Sequence, residues 1–216
     1  MSKNIVAASI LSADLCSLGD DIDRAQRAGA DYLHFDVMDG VFVNNISYGI
    51  PVLDSVRKYT DMFLDVHLMI TEPVRYVSRF AEYGADMITF HLEAARDVKK
   101  TIDEIKKTGR RAGIALKPAT PFSEVIPYFA DIDMLLIMTV EPGFGGQGLI
   151  PETIDKLREA KRYADEHGIC ADIEVDGGIN GDNAAMIRQA GANVLVAGSY
   201  IFKSDDITAS VKALRG

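Results

Sequence analysis

A short joint recurs along this chain and constrains its fold more than any other feature. Ala28-Gly29-Ala30-Asp31 precedes the apolar run 32–37, Tyr83-Gly84-Ala85-Asp86 precedes 87–92, and Ala190-Gly191-Ala192-Asn193 precedes 194–197. Each time a helix-like segment stops, a glycine supplies a left-handed cap, and a β-rich run begins almost at once. Gly109 before 112–116 and Gly168 before 171–175 vary the theme. An internal repeat of helix-to-strand joints sets the architecture before any single residue does.

The β-rich runs are 4–10, 31–38, 62–69, 87–92, 112–117, 134–140, 171–176 and 194–198. Amphipathic stretches lie between them. Ser17 with Asp20 resembles a capping box for the first, and Thr71-Glu72-Pro73 and Thr120-Pro121 each offer a Thr cap and an early Pro. Further helices are expected at 50–59, 98–108, 151–166, 181–189 and 206–214. No Pro/Gly/Ser linker or charge run divides the chain, so 1–216 is expected to be one domain. Eight strand–helix units predict an α/β fold, a single (β/α)8 TIM barrel of near-minimal length; a doubly wound open sheet is the structural alternative.

Composition narrows the partners. With 216 residues, 48% hydrophobic and 25% charged, the chain is long enough for a sizeable core. Its formal net charge of −9 argues against nucleic acid and against an anionic membrane, so an anionic ligand must be held by local geometry. Cys16 and Cys170 lie far apart without metal or redox spacing, as expected of reduced thiols in a cytoplasm. The apolar run 5–11, with only Lys3 ahead of it and Asp14 soon after, predicts neither a signal peptide nor a membrane span. A cytoplasmic location is expected.

Polar residues gather where such a barrel builds its site, at the strand C-termini. In Asp31–Gly40 strand alternation puts His34, Asp36 and Met38 on one face, ahead of the turn Asp39-Gly40. The third run places Asp65, His67 and Met69 together, and the seventh places Asp172, Glu174 and Asp176 together before Gly177-Gly178. Taken alone, His34 and Asp36 would also suit a satisfied buried pair. The outermost groups, His34, Asp36, His67 and Asp176, form a candidate site for one divalent cation: zinc, iron, manganese or cobalt. Asp65 and Glu174 are expected to orient neighbouring ligands. His91, two residues before Glu93, is a rival ligand, whereas His167 reads as a solvated helix-end residue. Met38, Met69 and Met138 are either core filler or a soft lining over a flat anionic intermediate.

After the sixth run comes Glu141-Pro142-Gly143-Phe144-Gly145-Gly146-Gln147-Gly148, whose glycines allow backbone N–H groups to cradle phosphate oxygens. Gly177, Gly178, Gly198 and Ser199 would complete the cup. The same letters satisfy GxGxxG, but Leu149-Ile150-Pro151 delays the helix and the later acidic residue is missing, so no nucleotide cofactor is expected. A cation, two carboxylates from separate strands and a phosphate cup imply proton transfer beside the ketone of a sugar phosphate. Asp36 and Asp176 could then address opposite faces of one carbon, as inversion of a stereocentre requires.

At these residues the sequence resembles the ribulose-phosphate 3-epimerase family. The likeness is carried by Ala8-Ser9-Ile10-Leu11-Ser12-Ala13-Asp14, His34-Phe35-Asp36-Val37-Met38-Asp39-Gly40, Asp65-Val66-His67-Leu68-Met69, Pro142-Gly143-Phe144-Gly145-Gly146-Gln147, Glu174-Val175-Asp176-Gly177-Gly178 and Ala197-Gly198-Ser199. The resemblance implies interconversion of D-ribulose 5-phosphate and D-xylulose 5-phosphate in the pentose phosphate pathway, with Asp36 accepting the proton and Asp176 donating one. It implies His34, Asp36, His67 and Asp176 as metal ligands. Ser9 and His67 would contact substrate, as would the segment Gly143, Phe144, Gly145 and Gly146 with Gly177, Gly178, Gly198 and Ser199. Family members commonly self-associate, so a homo-oligomer is expected.

The chain departs from the family pattern at Val41 and Asn44, where a His and a Pro are usual, at Tyr48, usually Phe, and at Tyr200, usually small. These leave allulose 6-phosphate as an alternative substrate. Two remoter readings are a Schiff-base aldolase using Lys117 and a sugar-phosphate sensor without catalysis.

Overall fold

The strands alternate between a face buried under helices and a face turned into the centre of a ring, and that alternation determines where the polar groups end up. The computed structural model describes residues 4–216, so Lys3 of the N-terminal reading lies outside it. The strands are β1 (Ile5–Ser9), β2 (Tyr32–Met38), β3 (Phe63–Met69), β4 (Met87–His91), β5 (Arg111–Leu116), β6 (Met134–Met138), β7 (Asp172–Asp176) and β8 (Val194–Ala197). All pair in parallel, and β1 also pairs with β8, closing the barrel and excluding the open sheet. Helices α1 (Leu18–Arg27), α2 (Ile50–Tyr59), α3 (Val77–Glu82), α4 (Val98–Lys107), α5 (Ile126–Phe129), α6 (Thr153–His167), α7 (Ala184–Ala190), α8 (Ser199–Phe202) and α9 (Ile207–Arg215) follow in chain order.

The outward residues Leu33, Phe35, Leu64, Val66, Ile88 and Phe90 are fully buried in the main core cluster beneath the helices. Each such aromatic or aliphatic side chain contributes about 1.5–3 kcal/mol. Inside the ring, Ala7, Met87, Met134, Val194 and Val196 form an apolar lower layer, packed by Ile5, Tyr32 and Phe63. Arg111 closes this end through its ion pair with Asp172 at 2.7 Å, which removes Asp172 from the site residues. Above that layer the register pairs His34 with Asp65, Asp36 with His67 and Met38 with Met69.

The recurring joint has a second function beyond ending helices. Its acidic or amide residue reaches across to the preceding strand and mimics a β-partner. Asp31 accepts the Val6 N–H at 3.0 Å, Asp86 that of Leu64 at 2.9 Å and Asn193 that of Ile173 at 2.7 Å, and Asp133, which launches β6 without the glycine, does the same for Ala112 at 2.8 Å. The backbone N–H of each donates to the carbonyl of the same residue. The starts of β1, β3, β5 and β7 are therefore satisfied by the residue that launches the next strand. Gly84 and Gly191 hold positive φ of 106° and 123°, and a Cβ there would strike Arg57 Cγ at 2.3 Å and Lys161 Cβ at 2.4 Å.

Three expected caps are absent. Ser17 makes no side-chain cap; Asp14 instead caps the 3-10 turn Leu15–Ser17 by accepting the Cys16 N–H, while Asp21 accepts the Asp14 N–H. The Thr71 hydroxyl is taken by Asp39, and the Thr120 hydroxyl by Glu93. Long-range carboxylates outcompete local capping at both threonines.

Candidate active site

Three strands deliver the polar cluster because each carries its site residues two apart, an acid with an imidazole on β2 and β3 and carboxylates alone on β7, and period-two alternation turns them all inward. His34, Asp36, His67 and Asp176 present donor atoms that all lie within 4.8 Å of one another. His34 Nε2 lies 3.3 Å from Asp36 Oδ1 and 3.8 Å from Asp176 Oδ2. His67 Nδ1 lies 3.1 Å from Asp36 Oδ1 and 3.9 Å from Asp176 Oδ2. His34 Nε2 is buried without a well-aligned hydrogen bond among the described residues. An imidazole nitrogen left over beside two carboxylates and a second imidazole is the donor set a borderline divalent cation takes, so the residues fit such an ion.

The remaining nitrogen of His34 is held from below, where Nδ1 meets Asp65 Oδ2 at 2.7 Å. Glu174 lies alongside, 3.7 Å from the same nitrogen, and is fully buried. Burial and the Asp65 charge push the Glu174 carboxyl well above its ordinary range. His34, Asp65 and Glu174 also converge closely enough to be a donor trio, yet neither carboxyl lines a cavity. Asp65 stands where a residue that orients a ligand belongs, whereas neither Glu174 oxygen has a hydrogen-bond partner among the described residues.

The two upper carboxyls are pushed apart. Burial raises Asp36, but the charge of the adjacent His34 and the hydrogen bond from His67 outweigh it and hold the carboxyl far below its ordinary value. Burial and the Asp36 charge push Asp176 up to about 6. Ser9 Oγ donates to Asp36 Oδ2 at 2.7 Å, fixing that carboxylate.

Asp36 and Asp176 open into one cavity of about 440 Å³, lined also by Ser9, Met38, Met69, Met138, Gly143 to Gly146, Gly177, Gly178, Gly198 and Ser199. All three methionines face it, although each is at most 5% exposed. His34 and His67 have no exposed surface and do not line it. The glycine loop is bent back on itself, Gln147 Nε2 donating to the carbonyls of Glu141 at 2.7 Å and Phe144 at 2.8 Å. Gly178 has a φ of 68°, and a Cβ there would come within 2.5 Å of Leu149 N.

Residues that the strand pattern did not single out complete the wall. Ser12, Asn180 and Asn183 line the cavity, and Asn183 Nδ2 donates to the Gly178 carbonyl at 2.8 Å. Asn45 Nδ2 donates to the Gly143 carbonyl at 2.8 Å, tying the loop after β2 to the loop after β6. Ser12 had a signal in the segment Ala8 to Asp14. Asn45, Asn180 and Asn183 act through loop contacts that alternation does not encode.

His91 does not join the cation cluster. Its Nε2 lies 2.9 Å from His67 Nε2, the nitrogen turned away from the carboxylates. Burial lowers the His91 pKa to about 4, despite Glu93 beside it, so the ring is neutral near pH 7. His167 sits at the exposed end of α6, Nδ1 against the Tyr163 carbonyl at 2.9 Å. Lys117 Nζ rests 3.9 Å from the centre of the Phe42 ring and does not line the cavity.

A closed parallel barrel whose C-terminal mouth joins an imidazole–carboxylate cluster to a glycine-walled cup defines the protein as a TIM barrel with a metal-type site. Residues 5–202 match the model of the ribulose-phosphate 3 epimerase family. Ribulose-phosphate 3-epimerase of Bacillus subtilis is 48% identical over 213 residues, covering 98% of each chain. Its namesake from Escherichia coli K12 is 46% identical over 216 residues, covering 100% of this chain and 96% of that one. This chain belongs to the ribulose-phosphate 3-epimerase family. Among solved structures, 3-hexulose-6-phosphate synthase from Salmonella typhimurium superposes with a TM-score of 0.73 at 17% identity, covering 100% of this chain and 97% of that one. That likeness is one of fold.

Proposed function

We propose that this chain is a ribulose-phosphate 3-epimerase, interconverting D-ribulose 5-phosphate and D-xylulose 5-phosphate. The observation that carries the reading is that Asp36, from β2, and Asp176, from β7, open into a single cavity whose other end is the glycine cup. The relatives bear the name of this activity.

The backbone of Gly143 to Gly146, with Gly177, Gly178, Gly198 and Ser199, would hold the phosphate, placing the middle carbons of the sugar between the carboxylates. Asp36, ionised and steadied by Ser9, removes the C3 proton from one face. Asp176 returns a proton from the other, and the roles exchange in reverse. Met38, Met69 and Met138 cover the planar enediolate and keep water away. His34, Asp36, His67 and Asp176 would hold one divalent cation (zinc, iron, manganese or cobalt), which when bound supplies electrostatic stabilisation for the charge developing on the ketose oxygens. His67 would act as a ligand and contact the sugar only through that site.

Of the four substitutions that raised a longer sugar, Val41, Asn44 and Tyr48 do not line the cavity, and Asn44 is exposed. Val41 is exposed, and Tyr48 packs on Phe35 at 4.6 Å outside the ring. Tyr200 lines the cup, but its hydroxyl lies against Gly181, where a Cβ would approach it to 2.3 Å. These placements favour the pentulose over allulose 6-phosphate. The position of Lys117 disfavours the aldolase. We read the protein as one domain, self-associating and cytoplasmic. Support for the last is that Cys16 and Cys170 are exposed free thiols and that a rice relative, 45% identical, is named a cytoplasmic isoform. No helix among the described residues is long and apolar enough to cross a membrane.

A proton NMR time course in deuterium oxide tests the reaction. Ribulose 5-phosphate should lose its C3 proton signal as xylulose 5-phosphate appears, much faster than allulose 6-phosphate reacts. Binding of ribulose 5-phosphate without exchange would make the protein a sensor instead.

A further inference from the structure

The buried chain of groups behind His67 does not touch the substrate cavity, and the reaction as described makes no use of it. It begins at His67 Nε2, passes to His91 Nε2 at 2.9 Å, leaves by His91 Nδ1 and reaches Glu93 Oε2 at 3.3 Å. Glu93 Oε1 accepts the Lys117 backbone N–H at 2.8 Å and the Thr120 hydroxyl. Both imidazoles are fully buried.

The direction of this chain is fixed from its far end. Glu93 already receives two donors on one oxygen, and a carboxylate only accepts, so His91 must present Nδ1–H to the other. A neutral imidazole with its hydrogen on Nδ1 has a bare Nε2. That bare nitrogen faces His67 Nε2, which must therefore carry the hydrogen. His67 Nδ1, which shares its hydrogen with Asp36 Oδ1 at 3.1 Å and lies 3.9 Å from Asp176 Oδ2, is then the nitrogen left to the site, where a cation would take the place of that hydrogen while Nε2–H stays bound to His91.

We propose that His91 and Glu93 are positioning residues that hold His67 in the one tautomer able to bind a cation through Nδ1. This deepens the reading of the site given above and rests on it. The arrangement is a carboxylate–histidine–histidine relay running from the turn after β4 through the end of β4 to β3, and partners behind ligating histidines raise cation affinity by about 10–100-fold. Asp65 does the same for His34 by direct contact at 2.7 Å, so each ligating imidazole is anchored through the nitrogen it does not offer to the site. The anchor of His67 is one residue longer because its carboxylate, Glu93, sits in the turn directly after β4 and reaches His67 only through His91, the last residue of that strand. Phe42 braces the relay, its ring 4.9 Å from that of His91 and under Lys117 Nζ at 3.9 Å.

Glu93→Gln is the sharpest variant. Its amide can satisfy His91 Nδ1–H with its oxygen only by turning an NH2 toward the Lys117 N–H; the opposite orientation donates to His91 and reverses the whole chain. His91→Phe keeps a buried ring but leaves His67 Nε2–H unpaired. Co2+ titration of purified protein, followed by visible absorption and by competition with a chelator, reads the effect without activity. Both variants should bind Co2+ about 10–100-fold more weakly than wild type, with circular dichroism unchanged. In metal-free wild type, long-range proton–nitrogen NMR should show His91 with its hydrogen on Nδ1. Should either variant fold poorly, Thr120→Val removes one Glu93 donor and should weaken Co2+ binding by a smaller factor. Wild-type affinity in folded Glu93→Gln and His91→Phe, or a His91 hydrogen on Nε2, overturns the relay while leaving the cation site standing. Failure of wild type to bind Co2+ at the cluster overturns the cation reading itself.

Discussion

Asp36 and Asp176 flank the same imidazole nitrogen: His34 Nε2 stands 3.3 Å from Asp36 Oδ1 and 3.8 Å from Asp176 Oδ2, and both carboxyls open into one cavity. In the proposed reaction, two acids bracketing one cluster would give a substrate carbon a separate proton partner on each face. Asp36→Asn and Asp176→Asn, compared at equal cation content, should each lower epimerisation by about 10²–10⁴-fold. Their residual chemistry should differ. Asp176→Asn retains exchange of the C3 proton of ribulose 5-phosphate with solvent deuterium, and Asp36→Asn retains that of xylulose 5-phosphate. Either variant exchanging both sugars at the wild-type rate contradicts a carboxylate on each face.

Much of this arrangement was legible before any coordinates. Alternation alone put His34 beside Asp36 and Asp65 beside His67, because a parallel strand presents every second residue to one side whatever its neighbours do. The strand ends were less sharp: β1 stops at Ser9, and Ile10 opens a 3-10 turn, a one-residue difference that local propensity does not resolve. The caps at Ser17, Thr71 and Thr120 failed for a different reason. Asp39 and Glu93 take the two threonine hydroxyls from 32 and 27 residues away, and such pairings follow from closure of the ring rather than from spacing. His91 illustrates the same limit. Its two-residue spacing from Glu93 resembled a ligand pattern, but β4 is turned so that the imidazole meets the back of His67.

The glycine cup makes a graded prediction. Gly178 and Gly146 both have positive φ, 68° and 76°, yet a Cβ at Gly178 meets the Leu149 N at 2.5 Å and the Gln147 carbonyl at 2.8 Å, while none of the surroundings comes within 4 Å at Gly146. Gly146→Ala should cost only backbone strain, about 1–2 kcal/mol by thermal or denaturant unfolding. Gly178→Ala adds a clash with backbone that cannot yield, so it should cost more and raise KM for the phosphorylated ketose several-fold. Equal effects from the two substitutions would remove the clash from the account.

Asp39 ties the loop after β2 to the end of β3. One oxygen accepts the N–H groups of Val41 and Phe42, each at 2.8 Å, and the other accepts the Thr71 N–H at 2.8 Å and its hydroxyl at 2.6 Å. Burial pushes its pKa up, but these bonds outweigh that and lower it from 3.8 to about 2. A carboxyl depressed on folding contributes stability that is present above its unfolded value and lost as pH falls through its folded value. The gap in unfolding free energy between wild type and Asp39→Asn should therefore be constant above pH 5 and shrink between about pH 4 and 2. A gap that widens on acidification would assign the loop's anchoring to other groups.

Asp133 tests whether the recurring joint serves the fold or the chemistry. Its Oδ2 accepts the Ala112 N–H at 2.8 Å, and its own N–H returns a bond of 2.8 Å to the Ala112 carbonyl. The pair sits at the N-terminal end of β5, the end of the barrel opposite the cavity, where substitutions in this architecture act on stability. Asp133→Ala keeps the backbone bond and strands one strand-end N–H, a loss of about 1–3 kcal/mol. Arg111, which also donates to the Asp133 carbonyl, retains that contact because the carbonyl is backbone. Denaturant unfolding should show the lower stability, while kcat and KM per folded molecule stay at wild-type values. A changed kcat would mean that the lower rim, which the Arg111–Asp172 pair also closes, communicates with the site.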